Sequence, residues 1–545
     1  MTSLRGESSE VFATPEGNLE AREYLRPVRA RVKGEWQPVE TDLAHSADGG
    51  VAPKVTTVGL SFSGGGDAPL VRMTKAGREL ALSWPGRLPT PELDGPRATY
   101  RDVLPDVDLR MEAQEDGFTQ LLVVKSAEAA ANEELSELRL KLAADGMDVR
   151  EADGGGLEAI DKGAQGAVFE APQPMMWDSS TPAENPPAEG TSSESTPAES
   201  ASAEGVEGAG ITAKTGAGSQ TAGTDGPGEP AATESGKLAP VGVTLPAGGE
   251  ELVLTPDADV LRGADTTYPV FIDPQWYSPR ASAWTMASKY WASSPQWKFN
   301  GESDAGLGYC NWSYCQPHDT KRLLYRLPTS KFAGKSILSA EFVVRNTWSA
   351  SCTAKAVQLW RTKDISASTT WNSQNASGFW IKQLKSSSFA HGYTGCAAKD
   401  AEFDIKSAVQ EAANGKWSTM TFGLRAASET DGLAWKRFSD NAFLRVQYNR
   451  PPAQLKMSQL SMEYGGVCKR PASAPRVRTL GKININNVTD PDGDNVAIQV
   501  QALWDTGDGQ GLIARWKPAL TSYKKSGSGF TMSLPTSIPQ NKTVH

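Results

Sequence analysis

Residues Val107 to Val124, VDLRMEAQEDGFTQLLVV, decide the fold class of this chain. Apolar side chains alternate with polar ones at Val107, Leu109 and Met111, which is the period of a half-buried strand. Glu115–Asp116–Gly117 is a turn signal, and a second apolar run follows it. The stretch therefore predicts a β-hairpin with one face in a core.

The same shape recurs upstream of this hairpin. Tyr24 to Val39 is two extended runs around Lys33–Gly34, and Leu70 to Trp84 has its turn at Lys75–Ala76–Gly77. Turn signals about ten residues apart are typical of a sandwich or barrel. Glu133 to Leu142 fits either a short helix or a strand, because Leu138, Leu140 and Leu142 alternate.

Composition divides the chain into parts. Residues 178–237 are almost entirely Ser, Thr, Ala, Gly, Pro and Glu, which predicts a disordered acidic insert. Strand patterns resume beyond it, so we expect residues 1–177 plus 238–275 to form one N-terminal β-sandwich-like domain. Residues 276–450 hold eleven of the sixteen tryptophans and predict a second sandwich, with one helix from Ile405 to Ala413.

Residues 451–545 predict a third β domain. Pro451–Pro452 reads as a linker, and Val496 to Trp504 alternates like a half-buried strand. Few further strands are visible, so we expect this domain to be truncated. The fold class is therefore mainly β, in three parts.

Charge and motifs exclude several classes of function. The net charge is −9 with both signs interspersed, which argues against a nucleic-acid partner. No apolar run is long enough to span a membrane. No nucleophile elbow or phosphate loop is present, and Ser63–Gly64–Gly65–Gly66–Asp67 reads as a hairpin turn. The sequence predicts no enzyme and leaves the oligomeric state open.

Five cysteines bear on the cellular compartment, and four of them lie in the tryptophan-rich part. Their spacing does not suit zinc, which leaves disulfides or buried free thiols. We favour Cys310–Cys315 and Cys352–Cys396, with Cys468 left over. Disulfides persist in oxidising compartments, so we expect an extracellular or cell-surface protein. The first ten residues show no secretory signal, which means either that the start is incomplete or that the protein is cytosolic.

Aromatic residues are the candidate ligand contacts, since Trp and Tyr rings offer flat platforms to sugar rings. Two groups lie in turn-rich sequence: Tyr290, Trp291 and Trp297, and then Trp312 and Tyr314 inside the small cysteine loop. The alternative is that these rings fill or cover the core. For Trp360 and Trp371 we expect structural roles.

One turn offers oxygen ligands. Asp490, Asp492 and Asp494 lie close together, as calcium prefers, although Gln501 stands where an EF-hand has Glu. The two interpretations are a calcium site and an Asx-rich turn. No other cofactor is predicted.

The central part resembles the DNRLRE domain, a β-sandwich of secreted bacterial and archaeal proteins that overlaps a carbohydrate-binding family. The matching pieces occur in order: Lys321–Leu327, Ile337–Arg345, Val357–Trp360, Thr369–Asn372, Phe403–Gln410, Thr419–Arg425 and Phe438–Val446. This resemblance implies a jelly-roll type of sandwich and polysaccharide binding.

The whole chain resembles large exported actinobacterial proteins that carry such modules beside laminin-G-like or Rhs-type repeats. Tyr24–Val39, Leu70–Trp84 and Tyr268–Trp276 carry this likeness, and the Asp490–Asp494 region resembles fibronectin-III or Ig-like domains. We therefore expect a non-catalytic modular surface protein whose centre binds polysaccharide. The alternatives are a structural carrier in a larger toxin-delivery protein and a glycan hydrolase.

Overall fold

The computed structural model describes residues 4–15, 17–152, 154–180, 236–246, 248–312, 315, 317–469, 473 and 475–545. These residues form multiple antiparallel sheets with few helices, which confirms the mainly β class. The α-helices are Ala127–Ala130, Ala258–Arg262, Trp371–Gln374 and Lys406–Gly415. The 3-10 turns are Glu133–Leu135, Lys298–Gly301, Ser330–Phe332, Gly432–Ala434 and Met457–Gln459.

The N-terminal sandwich packs two sheets around one apolar core. The eleven strands of the first sheet are Glu92–Asp94, Arg97–Leu104, Val107–Ala113, Gly117–Val124, Met147–Glu151, Leu157–Asp161, Ala167–Ala171, Met175–Trp177, Leu238–Pro240, Val270–Asp273 and Gln275–Tyr277. The eight strands of the second are Glu40–His45, Val51–Val55, Gly59–Phe62, Val71–Lys75, Arg78–Ser83, Leu138–Asp145, Gly242–Thr244 and Glu251–Thr255. A separate hairpin pairs Arg29–Val32 with Glu35–Pro38.

Local turn chemistry sets the hairpins as predicted. Lys33 and Gly34 both have positive φ, at 50° and 89°, and so do Ala76 and Gly77. Two successive positive φ values belong to the tight turn whose twist matches that of paired strands. Leu138, Leu140 and Leu142 are buried on a strand, whereas Glu133–Leu135 is a 3-10 turn, so the strand interpretation holds for the second part of that stretch.

The segment 181–235 lies outside the described residues, but its two ends are placed. Met175–Trp177 pairs directly with Leu238–Pro240, and the Gly236 amide donates to the Ser180 carbonyl at 2.8 Å. Strands on both sides of this segment therefore share one sheet.

The central sandwich is a thirteen-stranded sheet that folds back on itself through Asp304–Cys310, so that its two halves enclose one core. Its strands are Ser9–Ala13, Leu19–Tyr24, Ala283–Ser288, Gln296–Trp297, Asp304–Cys310, Asp319–Pro328, Ser336–Ser349, Lys355–Thr362, Trp380–Phe389, Lys399–Asp404, Thr419–Ala426, Lys436–Ser439 and Phe443–Asn449. The helix Lys406–Gly415 covers the strand Ser336–Ser349 and ends at Lys416, whose φ of 53° is left-handed.

The first two strands correct the predicted domain boundary. The sequence assigns residues 9–24 to the N-terminal domain, whereas Leu19–Tyr24 pairs along its whole length with Phe443–Asn449 of the central sheet. Leu19 and Ala21 enter the central core. The physical reason is that alternation marks a buried strand face but does not say which sheet buries it.

One charged side chain lies deep in the central sandwich. Lys436 is completely buried, and its Nζ lies 3.4 Å from the Ser349 hydroxyl and 5.3 Å from the centre of the Phe389 ring. Burial, and then the charge of Lys355, lower the pKa of Lys436 to about 8.

The C-terminal part has small sheets and a small core. One sheet contains Leu460–Met462, Gly466–Val467, Lys482–Val488 and Ser528–Ser533, and the other pairs Ala502–Trp504 with Ile513–Trp516. Its likeness to a fibronectin-III or Ig-like domain stays a prediction.

Candidate functional site

Side-chain alternation places a row of polar and aromatic residues on the outer face of the central sheet. Val357 and Leu359 are fully buried in the core, so Gln358 and Trp360 project from the opposite face. Trp360 is only partly buried. Trp360 therefore lies outside the core, because a residue next to an inward-facing leucine on a strand faces outward, and its expected structural role stays a prediction.

Three tryptophans and two arginines stack on this face, and we call them the Trp–Arg stack: Trp360, Trp371, Trp380, Arg322 and Arg425. The Arg425 guanidinium carbon lies 4.3 Å from the ring centre of Trp360 and 5.3 Å from that of Trp380. Arg322 lies 4.4 Å from Trp371 and 5.4 Å from Trp380. Each guanidinium therefore sits between two indole rings at cation–π distance.

Polar side chains fix the stack. Gln358 Oε1 accepts hydrogen bonds from Trp360 Nε1 at 3.1 Å and Arg425 Nε at 2.9 Å. Gln374 Oε1 accepts from Trp380 Nε1 at 2.8 Å and Arg322 Nη1 at 3.1 Å. Each glutamine thus holds one indole and one guanidinium, which gives the rings defined orientations before any ligand arrives.

A glycine makes room for the middle ring. A Cβ atom on Gly423 would lie 2.5 Å from the Trp380 ring, so only glycine lets this indole lie against the strand Thr419–Ala426. The short helix Trp371–Gln374 brings Trp371 and Gln374 to the same face, and Thr370 caps it with a reciprocal hydrogen-bond pair to Ser373.

The two arginines differ in charge pairing. Arg322 is 7% exposed and donates to both carboxylate oxygens of Glu429, each at 2.7 Å. Arg425 is partly exposed, and no described residue pairs with its Nη groups. Burial, and then the neighbouring charge of Arg322, lower the pKa of Arg425 from its ordinary value. Arg425 can therefore offer a planar pair of donors between two rings.

The predicted ligand residues do not form one site. Tyr290 is 48% exposed and makes an edge contact with Trp291, whose ring packs on a small apolar cluster with Trp177 and Phe271. The Tyr290 amide donates to Asp319 at 2.8 Å. This pair is an aromatic corner separate from the Trp–Arg stack.

Trp297 is covered. It is 8% exposed, packs against Leu324 and Phe379, and donates from Nε1 to the Tyr277 hydroxyl at 3.0 Å. The structure thus corrects its prediction as a ligand contact, because a sugar ring needs an open indole face.

Both favoured disulfides are found. Cys310 and Cys315 have Cα atoms 6.0 Å apart, and those of Cys352 and Cys396 are 5.8 Å apart, while Cys468 is free. Trp312 packs on the first bridge and donates to the Gly432 carbonyl at 2.9 Å. Tyr314 lies outside the described residues.

The aspartate turn is occupied by protein contacts. Asp490 Oδ1 accepts the amides of Asp492 and Asp494, Asp492 binds Arg450, and Asp494 binds the Asn449 amide at 2.5 Å. No group of three metal-ligating side chains is found among the described residues, this turn included. The geometry is that of an Asx turn joined to the central sheet, which is the second of the two interpretations of this stretch.

Comparisons with known proteins give no assignment: no family model matches the chain, and no curated protein matches it. Within the described ranges, no helix has the length and apolar character needed to cross a membrane.

Proposed function

We propose that the central sandwich is a non-catalytic polysaccharide-binding module of an extracellular or cell-surface protein. Its binding face is the accessible part of the Trp–Arg stack, Trp360, Trp380 and Arg425, whereas Trp371 and Arg322 are 8% and 7% exposed and hold these residues in place. The observation that carries the proposal is Arg425, held between the Trp360 and Trp380 rings with its Nη groups unpaired among the described residues. Rings supply platforms for the apolar faces of sugars, and the guanidinium supplies donors to their oxygens.

Two further observations support the proposal. Gln358 and Gln374 fix the rings in advance, which lowers the entropy lost on binding. The two disulfides of the same sandwich favour an oxidising compartment, where glycans of cell walls and environmental polymers are found. The ordered segments that resemble DNRLRE domains in sequence favour the same interpretation.

Binding of the full chain to immobilised neutral and uronic-acid polysaccharides tests the proposal. Trp360→Ala and Trp380→Ala should each weaken binding about 3- to 10-fold, the loss of one aromatic contact. Trp36→Ala is the matched control, because Trp36 also stacks with an arginine, at 4.9 Å from Arg31, but on the N-terminal hairpin.

Arg425→Lys separates the ring platform from the planar donors. Lysine keeps the positive charge but lacks the planar pair of guanidinium donors, so we expect weaker glycan binding with folding unchanged. Binding that survives both tryptophan changes, or that falls equally in Trp36→Ala, would contradict the assignment of this face. Failure to bind any glycan would favour the structural carrier, and turnover of a glycan would favour the hydrolase.

A further inference from the structure

The N-terminal sandwich is inserted into the chain of the central one. The chain leaves the central sheet after Leu19–Tyr24, which pairs with Phe443–Asn449, and it returns in Ala283–Ser288, a strand of the same sheet. The points of departure and return are in contact, because the Ser282 hydroxyl donates to the Leu25 carbonyl at 2.7 Å. The two ends of the inserted sandwich are therefore held side by side.

The junction is anchored to the central sandwich by further contacts. The Leu25 amide donates to the Ala442 carbonyl at 2.8 Å. Arg26 forms salt bridges with Asp440 of the central sandwich and Glu115 of the N-terminal sandwich. A pull on the chain on either side of the central sandwich therefore puts no tension on the inserted sandwich as long as the central strands stay paired.

The strands that would carry such a pull are the first two and the last of the central sandwich. We call Ser9–Ala13 and Leu19–Tyr24 the N-terminal clamp, and Phe443–Asn449 the exit strand. Successive antiparallel pairings make the first strand of the clamp parallel to the exit strand. Ser9 is level with Leu444, and the chain leaves at the other end of the exit strand, about 17 Å further along the strands and about 10 Å across them. Tension between these two points acts mainly along the strands.

Load along paired strands is the direction in which a sheet resists most. Either the five residue pairs within the clamp or the six pairs between the clamp and the exit strand must break together. The clamp is also anchored by burial, because Val11 and Leu19 pack in the central core. Forced unfolding is governed by the rate of unfolding, so a ladder that must break in one step opens slowly.

The point where tension enters the clamp is bonded further. The Glu7 carbonyl accepts the amides of Val28 and Arg29, at 2.8 and 3.0 Å, and the Glu7 carboxylate binds Arg280 at 2.8 Å. Arg29 also forms a salt bridge with Glu10 on the first strand. These contacts hold the first strand in register under load.

We propose that this protein is built to carry tension along its chain, with the N-terminal clamp as the element that bears the load and the N-terminal sandwich outside the path of the force. The inserted sandwich then keeps its fold, and any contact that it makes, while the chain is stretched. The inference concerns the topology of the chain and is independent of glycan binding.

Single-molecule pulling of the full chain tests the load path by changing only the point of attachment. One DNA handle is attached at His545→Cys and the other at Leu4→Cys or at Asn18→Cys, in a Cys468→Ser background. From residue 4 the clamp is loaded along its strands. From residue 18 the load reaches the clamp beside the end of the exit strand, so the same ladder opens one pair at a time. We expect this second geometry to open the clamp at about half the force or less.

The gains in chain length show the order of events when the chain is pulled from residue 4. Opening the clamp frees Ser9 to Tyr24, about 5 nm of chain, whereas residues 25–282 account for roughly 90 nm. The larger gain should never precede opening of the clamp, because the inserted sandwich bears no load until then.

Two valine variants separate the clamp from the inserted sandwich. Val11→Ala should lower the force that opens the clamp. Val107→Ala is the matched control, because Val107 is equally buried but lies in the N-terminal core, and it should leave that force unchanged. A gain of about 90 nm before the clamp opens, equal forces from both attachment points, or an equal effect of the two valine changes would each overturn the proposal.

Discussion

The N-terminal strand pair gives the sharpest test of how this chain is divided. Leu19 is 3% exposed, lies opposite Tyr448, and packs in the central core. Leu-to-Ala changes at such sites cost 2–5 kcal/mol through lost burial and the cavity left behind. Leu19 lies on the second strand of the sheet, next to the edge strand Ser9–Ala13, so its neighbours can relax in part. We therefore expect Leu19→Ala to lower the free energy of unfolding of the central sandwich by about 3 kcal/mol.

Differential scanning calorimetry of the full chain measures this effect. The transition that shifts when the disulfides are reduced belongs to the central sandwich, and Leu19→Ala should shift the same transition. Phe12→Ala on the same strand pair is the control, because Phe12 is 37% exposed and, among the described residues, stacks with Arg22 alone. We expect a cost below about 1 kcal/mol. If Leu19→Ala instead shifts the N-terminal transition, or none, these strands do not belong to the central core in solution.

Two further predictions concern the central sandwich. Removing the Cys352–Cys396 bridge should lower the free energy of unfolding by about 4 kcal/mol, and removing Cys310–Cys315 by about 2 kcal/mol. The reason is that the two closed loops differ in length, at separations of 44 and 5 residues. Equal losses of stability in urea unfolding of the two double-alanine variants would contradict this ordering. Lys436 has a folded-state pKa of about 8 and an ordinary value of 10.5, so between these values the unfolded chain binds more protons and stability rises with pH. In wild type, urea titrations should show the free energy of unfolding rising by on the order of 1 kcal/mol across this window, and Lys436→Met should abolish that rise. The same pH dependence in Lys436→Met would show that burial does not lower the pKa of this amine.

Local patterns predicted local structure well. Lys33–Gly34 and Lys75–Ala76–Gly77 are turns, and residues 406–415 are helical, because these features depend on conformational preferences within a few residues. The pairing of Leu19–Tyr24 with Phe443–Asn449 could not be predicted from such local preferences. Strands more than 400 residues apart are joined by packing of the whole molecule, which leaves no local signal.

The sequence predicts only part of the candidate site. The pattern at Val357 and Leu359 was sufficient to place Trp360 on the outer face, since strand side chains alternate. Trp371 and Trp380 meet the arginines only after three strands and a short helix are assembled. Trp297 is the opposite case. Its turn-rich neighbourhood suggested exposure, yet Leu324 and Phe379 of the same central sandwich cover it.

The hydrogen bond between Gly236 and Ser180 has a practical consequence. The chain leaves the N-terminal sheet after Ser180 and rejoins it next to the same point at Gly236. The number of residues between them can therefore change without shifting the register of the flanking strands. The position therefore suits an engineered graft, such as a reporter domain or a cleavable tether, with both sandwiches left intact.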